Sequence, residues 1–163
     1  MTERTSPSMS TDQVWNAIVR AADAVLGHVT PDGAPRTSGV VYRSIDRRIY
    51  VAVDPGSWKA RHIQADGRVS MTILVRRGGL LSLLFPIPPA TITFHGTATV
   101  HPADEPGMGA VLDRLARLLP PDSRSSSAVI EIAPQGTFLT YGIGVSLGAM
   151  RVPATARGRA PVV

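Results

Sequence analysis

Cysteine is absent from the 163 residues, which excludes disulfides, zinc–thiolate sites and thiol catalysis. Lysine is almost absent too: Lys59 stands alone against arginine among the 17 lysine and arginine residues. Aromatic residues make up 5%, so there are few platforms on which single-stranded bases could stack. The net charge of +5 and the pI near 10.7 raise nucleic acid as a partner. The arginines are scattered, however, apart from Arg47-Arg48, Arg76-Arg77 and the group Arg151, Arg157 and Arg159. The expectation is therefore no nucleic-acid partner.

Runs long enough to cross a membrane are missing as well. Residues 78–103 and 132–150 carry no charge, but Pro86, Pro88 and Pro89 interrupt the first. Pro134, Gln135, Gly136, Gly142, Gly144 and Gly148 interrupt the second, so neither offers the ~20 apolar residues of a spanning helix. Met1–Ser10 is polar and has no apolar signal core. The reading is a soluble, cytoplasmic protein with no membrane partner, and a reducing compartment suits a cysteine-free chain.

What is present is a folded composition, 44% hydrophobic, with the length of one domain. Thr11–Ala22 has Val14, Trp15, Ile18 and Val19 on one side and predicts a short amphipathic helix. Strands are predicted at 24–30 and 36–43, joined by the turn Pro31-Asp32-Gly33, and at 48–53. A helix at 57–65 leads through Asp66-Gly67 into a strand at 68–75. The β-branched run Ala90–His101 is a further strand. A helix follows at 104–119, stopped by Pro120-Pro121, and 122–127 is a polar loop. The last strand or strands lie at 128–133 and 137–141. The division is a disordered tail at 1–10, one domain at 11–150 and a basic tail at 151–163 that packs on a neighbour or stays mobile. The fold class is mainly β, a six-stranded antiparallel split barrel of Greek-key type with short covering helices.

The chemistry concentrates in Asp54-Pro55-Gly56-Ser57-Trp58-Lys59-Ala60-Arg61-His62. Ser57 is a good N-cap. A helix start is electropositive, so acids are favoured in its first turn and cations are not. Here Lys59 and Arg61 occupy that turn, with no acid between residues 57 and 65. The pattern makes sense if an outside anion, most simply a phosphate, docks there.

The ordered segments "VLGHVT", "PDGAPRTSGVVY", "RRIYVAVDPGSWKARHIQADGRVSMTILV" and "TFHGTATV" resemble the pyridoxamine 5'-phosphate oxidase-like family, across about residues 12–141. Its most specific stretch here is Gly56–Ser70. The resemblance implies a homodimeric split barrel with a flavin-type cofactor in a groove shared by both subunits: FMN, or alternatively the 8-hydroxy-5-deazaflavin coenzyme. It places Ser57 and Lys59 at the cofactor phosphate, and Thr37, Ser38, Gly39 and Val40 along the ring. Ala52 and Val53 fall beside that ring. Trp58 and Ser38 stand where the authentic oxidase carries arginines, and Arg36, Arg61 or Arg43 could compensate. No Arg-x-His motif follows His101, so pyridoxamine phosphate is not the expected substrate. The implied function is a flavin-type oxidoreductase acting on a small organic molecule. The alternative is a non-catalytic cofactor-binding or sensing protein on the same barrel. Tyr42, Arg43 and His62 are candidates to approach a substrate, although His62 reads first as a helix-surface residue; no residue is assigned a catalytic role.

Other patterns point elsewhere only weakly. Gly144-Val145-Ser146-Leu147-Gly148 has the shape of a nucleophile elbow, but no acid or histidine follows it in the chain. Gly142-x-Gly144 with Gly148 has the wrong spacing for a dinucleotide fingerprint. His95 and His101 share a strand face without a set of carboxylates, so no metal site is expected. The apolar segment at 79–89 is expected to be buried in a dimer or over the barrel mouth, or to act as a lid on the cofactor.

Overall fold

The computed structural model describes residues 9–79, 84, 86–119 and 127–163. The expectations for residues 1–8, for residues 80–83 and 85 of the apolar segment, for the helix stop at Pro120-Pro121 and for nearly all of the polar loop after it lie outside those residues.

Alternation of apolar and polar residues builds the sheet. In β4 (Arg48–Val53), β5 (Arg68–Val75) and β6 (Ala90–His101), every second side chain is buried over most of the strand. With β1 (Asp23–Val29), β2 (Pro35–Val41), β3 (Arg43–Ile45) and β7 (Ala128–Tyr141) they form one antiparallel sheet. Its order is β2-β1-β5-β6-β7-β4-β3, and β8 (Arg157–Pro161) adds to β7. The sheet curls around Leu26, Met71, Ile73, Ile92, Ile130, Ile132 and Phe138, all of them inaccessible to solvent. Phe138 meets Trp15 and Phe94 edge to face, with centroids 5.4 and 5.5 Å away.

The mainly β, antiparallel half-barrel matches the sequence reading, and β4, β5 and β6 have the expected bounds. Where six strands were expected there are eight among the described residues. The chain from 36 to 43 does not run as one strand, because Tyr42 breaks it into β2 and β3. The second addition is β8, cut from the supposed basic tail: Ala160 and Val162 are buried, and the Trp15 indole N–H donates to the Val162 carbonyl at 3.3 Å. Residues 128–141 make one continuous strand, irregular opposite Thr93–His95, where Gly136 takes φ +71°.

Among the described residues, four α-helices accompany the sheet. Ser10, assigned to the tail by the sequence reading, caps α1 (Thr11–Arg20) in a reciprocal capping box with Gln13. α1 buries Val14, Trp15 and Ile18. α2 is Trp58–Ala65. α3 (Met108–Ala116) is shorter than expected, since left-handed Gly107 at its start makes no side-chain cap. α4 is the single turn Pro153–Ala156. No helix among the described residues is long and apolar enough to cross a membrane.

Candidate functional site

The turn before α2 is built by Asp54, whose side chain accepts the Gly56 N–H at 2.8 Å and whose carbonyl accepts the Ser57 N–H at 3.0 Å. Ser57 then caps the helix by accepting the Ala60 N–H at 3.3 Å. Its hydroxyl hydrogen stays available to an acceptor outside the helix. The first turn of α2 contains no acid. Lys59 is half-buried and, among the described residues, forms no ion pair. Burial alone pulls its ammonium below the ordinary lysine range.

The β1–β2 hairpin supplies the opposite wall. Its register places Arg36 across from His28, Thr37 across from Gly27 and Ser38 across from Leu26. Gly27 lets β1 and β5 approach closely: a Cβ at that position would lie 2.4 Å from the Ser70 hydroxyl oxygen on β5, which would have to rotate away. The hairpin and α2 together enclose an open groove of about 310 Å³, lined by His28, Arg36, Thr37, Ser38, Ser57, Trp58, Lys59 and His62.

Three polar atoms in this lining are buried without a hydrogen-bond partner among the described residues: Nδ1 of His28, Nδ1 of His62 and Oγ of Ser38. Each such atom costs about 1–3 kcal/mol if it stays unpaired. Three in one groove mark a surface that finds its acceptors and donors outside the chain. His28 is held below its ordinary range, first by burial and then by the charges of His62, Lys59 and Arg36. The Trp58 indole is 68% exposed at the rim and meets the His62 ring edge-on at 5.9 Å. A planar apolar ring would find cover there. The donor set, free of acid in its lining, fits a phosphate-bearing aromatic cofactor.

Of the residues singled out by sequence, Arg36, Thr37, Ser38, Ser57, Trp58 and Lys59 come together in the groove. Gly39 and Val40 continue β2 away from it, and a Cβ on Gly39 would meet nothing within 4 Å, so the strand face there is open. Arg61 points from α2 into solvent and does not line the groove. Ala52 packs with Val111 and Leu115 under α3, while Val53 joins the main core; neither reaches the groove. Tyr42 is not available to a substrate: it is fully buried and donates its hydroxyl to the Ile18 carbonyl at 2.7 Å. Burial drives its ionisation well above the usual tyrosine range.

His62 is more than a helix-surface residue, since it faces His28 at 5.3 Å between ring centroids. His28 was missed by the sequence reading. Counting outward from the Pro31–Gly33 turn would have set it opposite Arg36, but the side of the sheet it occupies depends on α2.

Other candidates are satisfied by the fold. A larger hollow of about 450 Å³ contains Arg76, paired with Asp23 at 3.3 Å, and Arg77, bonded to the Gly142 carbonyl. The exposed Ser146 hydroxyl accepts the Ala149 N–H at 3.2 Å, just ahead of a 3-10 turn at Ala149–Arg151, and no acid or histidine follows it in the chain. His101 lies 3.0 Å from Glu105 and 3.6 Å from Glu131.

The family model described as pyridoxamine 5'-phosphate oxidase matches residues 11–141. The chain belongs to this family. Among curated proteins, none matches the chain. Solved structures of the same fold include General Stress Protein 26 from Bacillus anthracis str. Sterne, 20% identical with a TM-score of 0.59, over 80% of this chain and 92% of that one. HutZ, the heme storage protein from Vibrio cholerae, is 13% identical with a TM-score of 0.66, over 82% and 95% of the two chains. An F420 reductase is 19% identical with a TM-score of 0.56, over 76% and 93%. At these identities the likeness is one of fold, and the pyridoxamine 5'-phosphate oxidase fold carries more than one chemistry.

Proposed function

We propose that this chain is a cofactor-dependent oxidoreductase that holds the phosphate of FMN, or of the 8-hydroxy-5-deazaflavin coenzyme, at the start of α2. One observation carries the reading: Lys59 is half-buried, has no acidic partner among the described residues, and shares its groove with three unpartnered polar atoms. A buried ammonium without a counter-charge is costly unless an anion arrives from outside. Lys59 supplies charge, Ser57 a hydroxyl and the first turn of α2 its N–H groups. Thr37 and Ser38 on β2, continued by Gly39 and Val40, offer the strand along which the ring lies. The cofactor, when bound, supplies the redox chemistry, and the chain contributes grip, orientation and exclusion of water. The reading includes a homodimer with the cofactor between subunits, a small organic substrate and a cytoplasmic setting. Trp58 and Ser38, at positions where the authentic oxidase carries arginines, set this site apart from one for pyridoxamine phosphate.

A second reading rests on His28 and His62. Two imidazoles in one groove are also a donor set for heme iron, which would make the protein a non-catalytic holder of its cofactor.

The test is a fluorescence titration of the native protein and of Lys59→Ala with FMN and with the deazaflavin coenzyme, beside an absorbance titration with hemin. One charge-assisted hydrogen bond is worth about 1.5–3 kcal/mol, so the variant should lose about 10–100-fold in affinity. The same sample should sediment at about twice the 17.3 kDa chain mass. Failure of both coenzymes to bind at micromolar protein, or equal affinity in the variant, sinks the proposal; tight hemin binding alone selects the second reading.

A further inference from the structure

His28 and His62 take no part in the fold's own hydrogen bonding through Nδ1, yet both those atoms are buried in the groove that holds Lys59. His28 is 7% exposed, so solvent does little for it. Its neighbours in the groove are all cationic or neutral: Lys59 and His62 from α2, and Arg36 from β2. The nearby acids are engaged elsewhere. Asp32 in the β1–β2 turn is tied to the Thr30 hydroxyl, Asp54 to the Gly56 N–H, and Asp66 to Arg68 at the start of β5. None of the three lines the groove. On β6, His95 lies against Gly136.

Resting on the phosphate reading of this groove, we propose that His28 and His62 are ligand-binding residues of the same site and that the pair takes up a proton as the anion seats. The ring centroids are 5.3 Å apart and tilted by 38°, so charge on one ring opposes charge on the other. The pair therefore has room for one added proton and not two. Without an anion, burial and the surrounding cations keep His28 neutral. A phosphate monoester brings nearly two negative charges at neutral pH and three acceptor oxygens. Its arrival reverses the sign of the local field and gives an imidazolium N–H a partner. The groove thus favours a dianionic phosphate over a neutral ring, and its affinity is linked to pH.

Titration calorimetry on the native protein at about pH 7.5, in two buffers of different ionisation enthalpy, reads the proton directly, since the free phosphate is then mostly dianionic. The probes are FMN, the deazaflavin coenzyme, inorganic phosphate, and riboflavin as the ring without phosphate. The expected result is uptake approaching about one proton per phosphate-bearing ligand and none with riboflavin. Affinity should weaken by up to about tenfold per pH unit above that point. His62→Gln, on the half-exposed face of α2, should still bind but with most of the uptake removed. His28→Gln should do the same. Should that variant not fold, ring shifts of His28 in the native protein must move toward imidazolium when phosphate is added. Binding without proton uptake, or unchanged uptake in His62→Gln, overturns this inference alone. Absence of binding by FMN, the deazaflavin coenzyme and phosphate overturns it together with the reading on which it rests.

Discussion

The hydroxyl of Tyr42 shows how one atom can decide between a structural and a functional role. It donates to the Ile18 carbonyl at 2.7 Å from a fully buried position, and so pins α1 to the junction of β2 and β3. Tyr42→Phe should leave the Ile18 carbonyl without this partner and lower stability by about 1–3 kcal/mol. Cofactor affinity should not change. Urea unfolding beside the fluorescence titration separates these effects, and a variant that is fully stable but binds weakly would return Tyr42 to the site. Lys59 and Ser57 were legible in sequence because a helix start with a cation and no acid is a local electrostatic anomaly. His28 was not, because its partners come from α2, some thirty residues on, and from the far strand of its hairpin. Tyr42 was misread for the same reason: adjacency to β2 says nothing about the helix that covers it.

At the level of elements, β8 carries the largest difference between reading and structure. Arginine, glycine and proline in Arg157–Pro161 look like a loose tail, yet exposed and buried positions alternate strictly there. Pro161 is tolerated at the end of a strand that borders the sheet. Thr137–Tyr141 pair with Arg157–Pro161, and Thr11 donates its hydroxyl to the Pro161 carbonyl at 2.8 Å. Removing residues 157–163 should uncover Trp15 and Phe138, at about 1.5–3 kcal/mol per large side chain. The readouts are a lower melting temperature and a red-shifted tryptophan emission; an unaltered melt would show that β8 contributes nothing. The hairpin strands and β4 to β6 were easy to read, since period-two alternation is a property of neighbouring residues. Long-range pairing has no such local mark.

Across the whole molecule, the His28 site ties stability to pH. Its folded value lies below the ordinary 6.5, so the unfolded chain binds the proton more readily. The sign follows: stability is at its full value above about pH 6.5 and falls as the pH drops toward the lower folded value. Inorganic phosphate, by favouring the protonated pair, should flatten that fall. Thermal melts between about pH 5 and 8, with and without phosphate, measure both slopes; a flat profile in the free protein would remove the linkage. The sequence by itself determined a cysteine-free, mainly β chain, the hairpin turns, the α2 cap and the lone lysine, because each depends on residues within a turn or two of one another. Only the tertiary structure decided that His28 and His62 share Lys59's groove, that Tyr42 is buried and that the C-terminal residues form a strand. Those facts depend on which sheet faces meet which helices, and burial and charge coupling exist only once distant segments have packed.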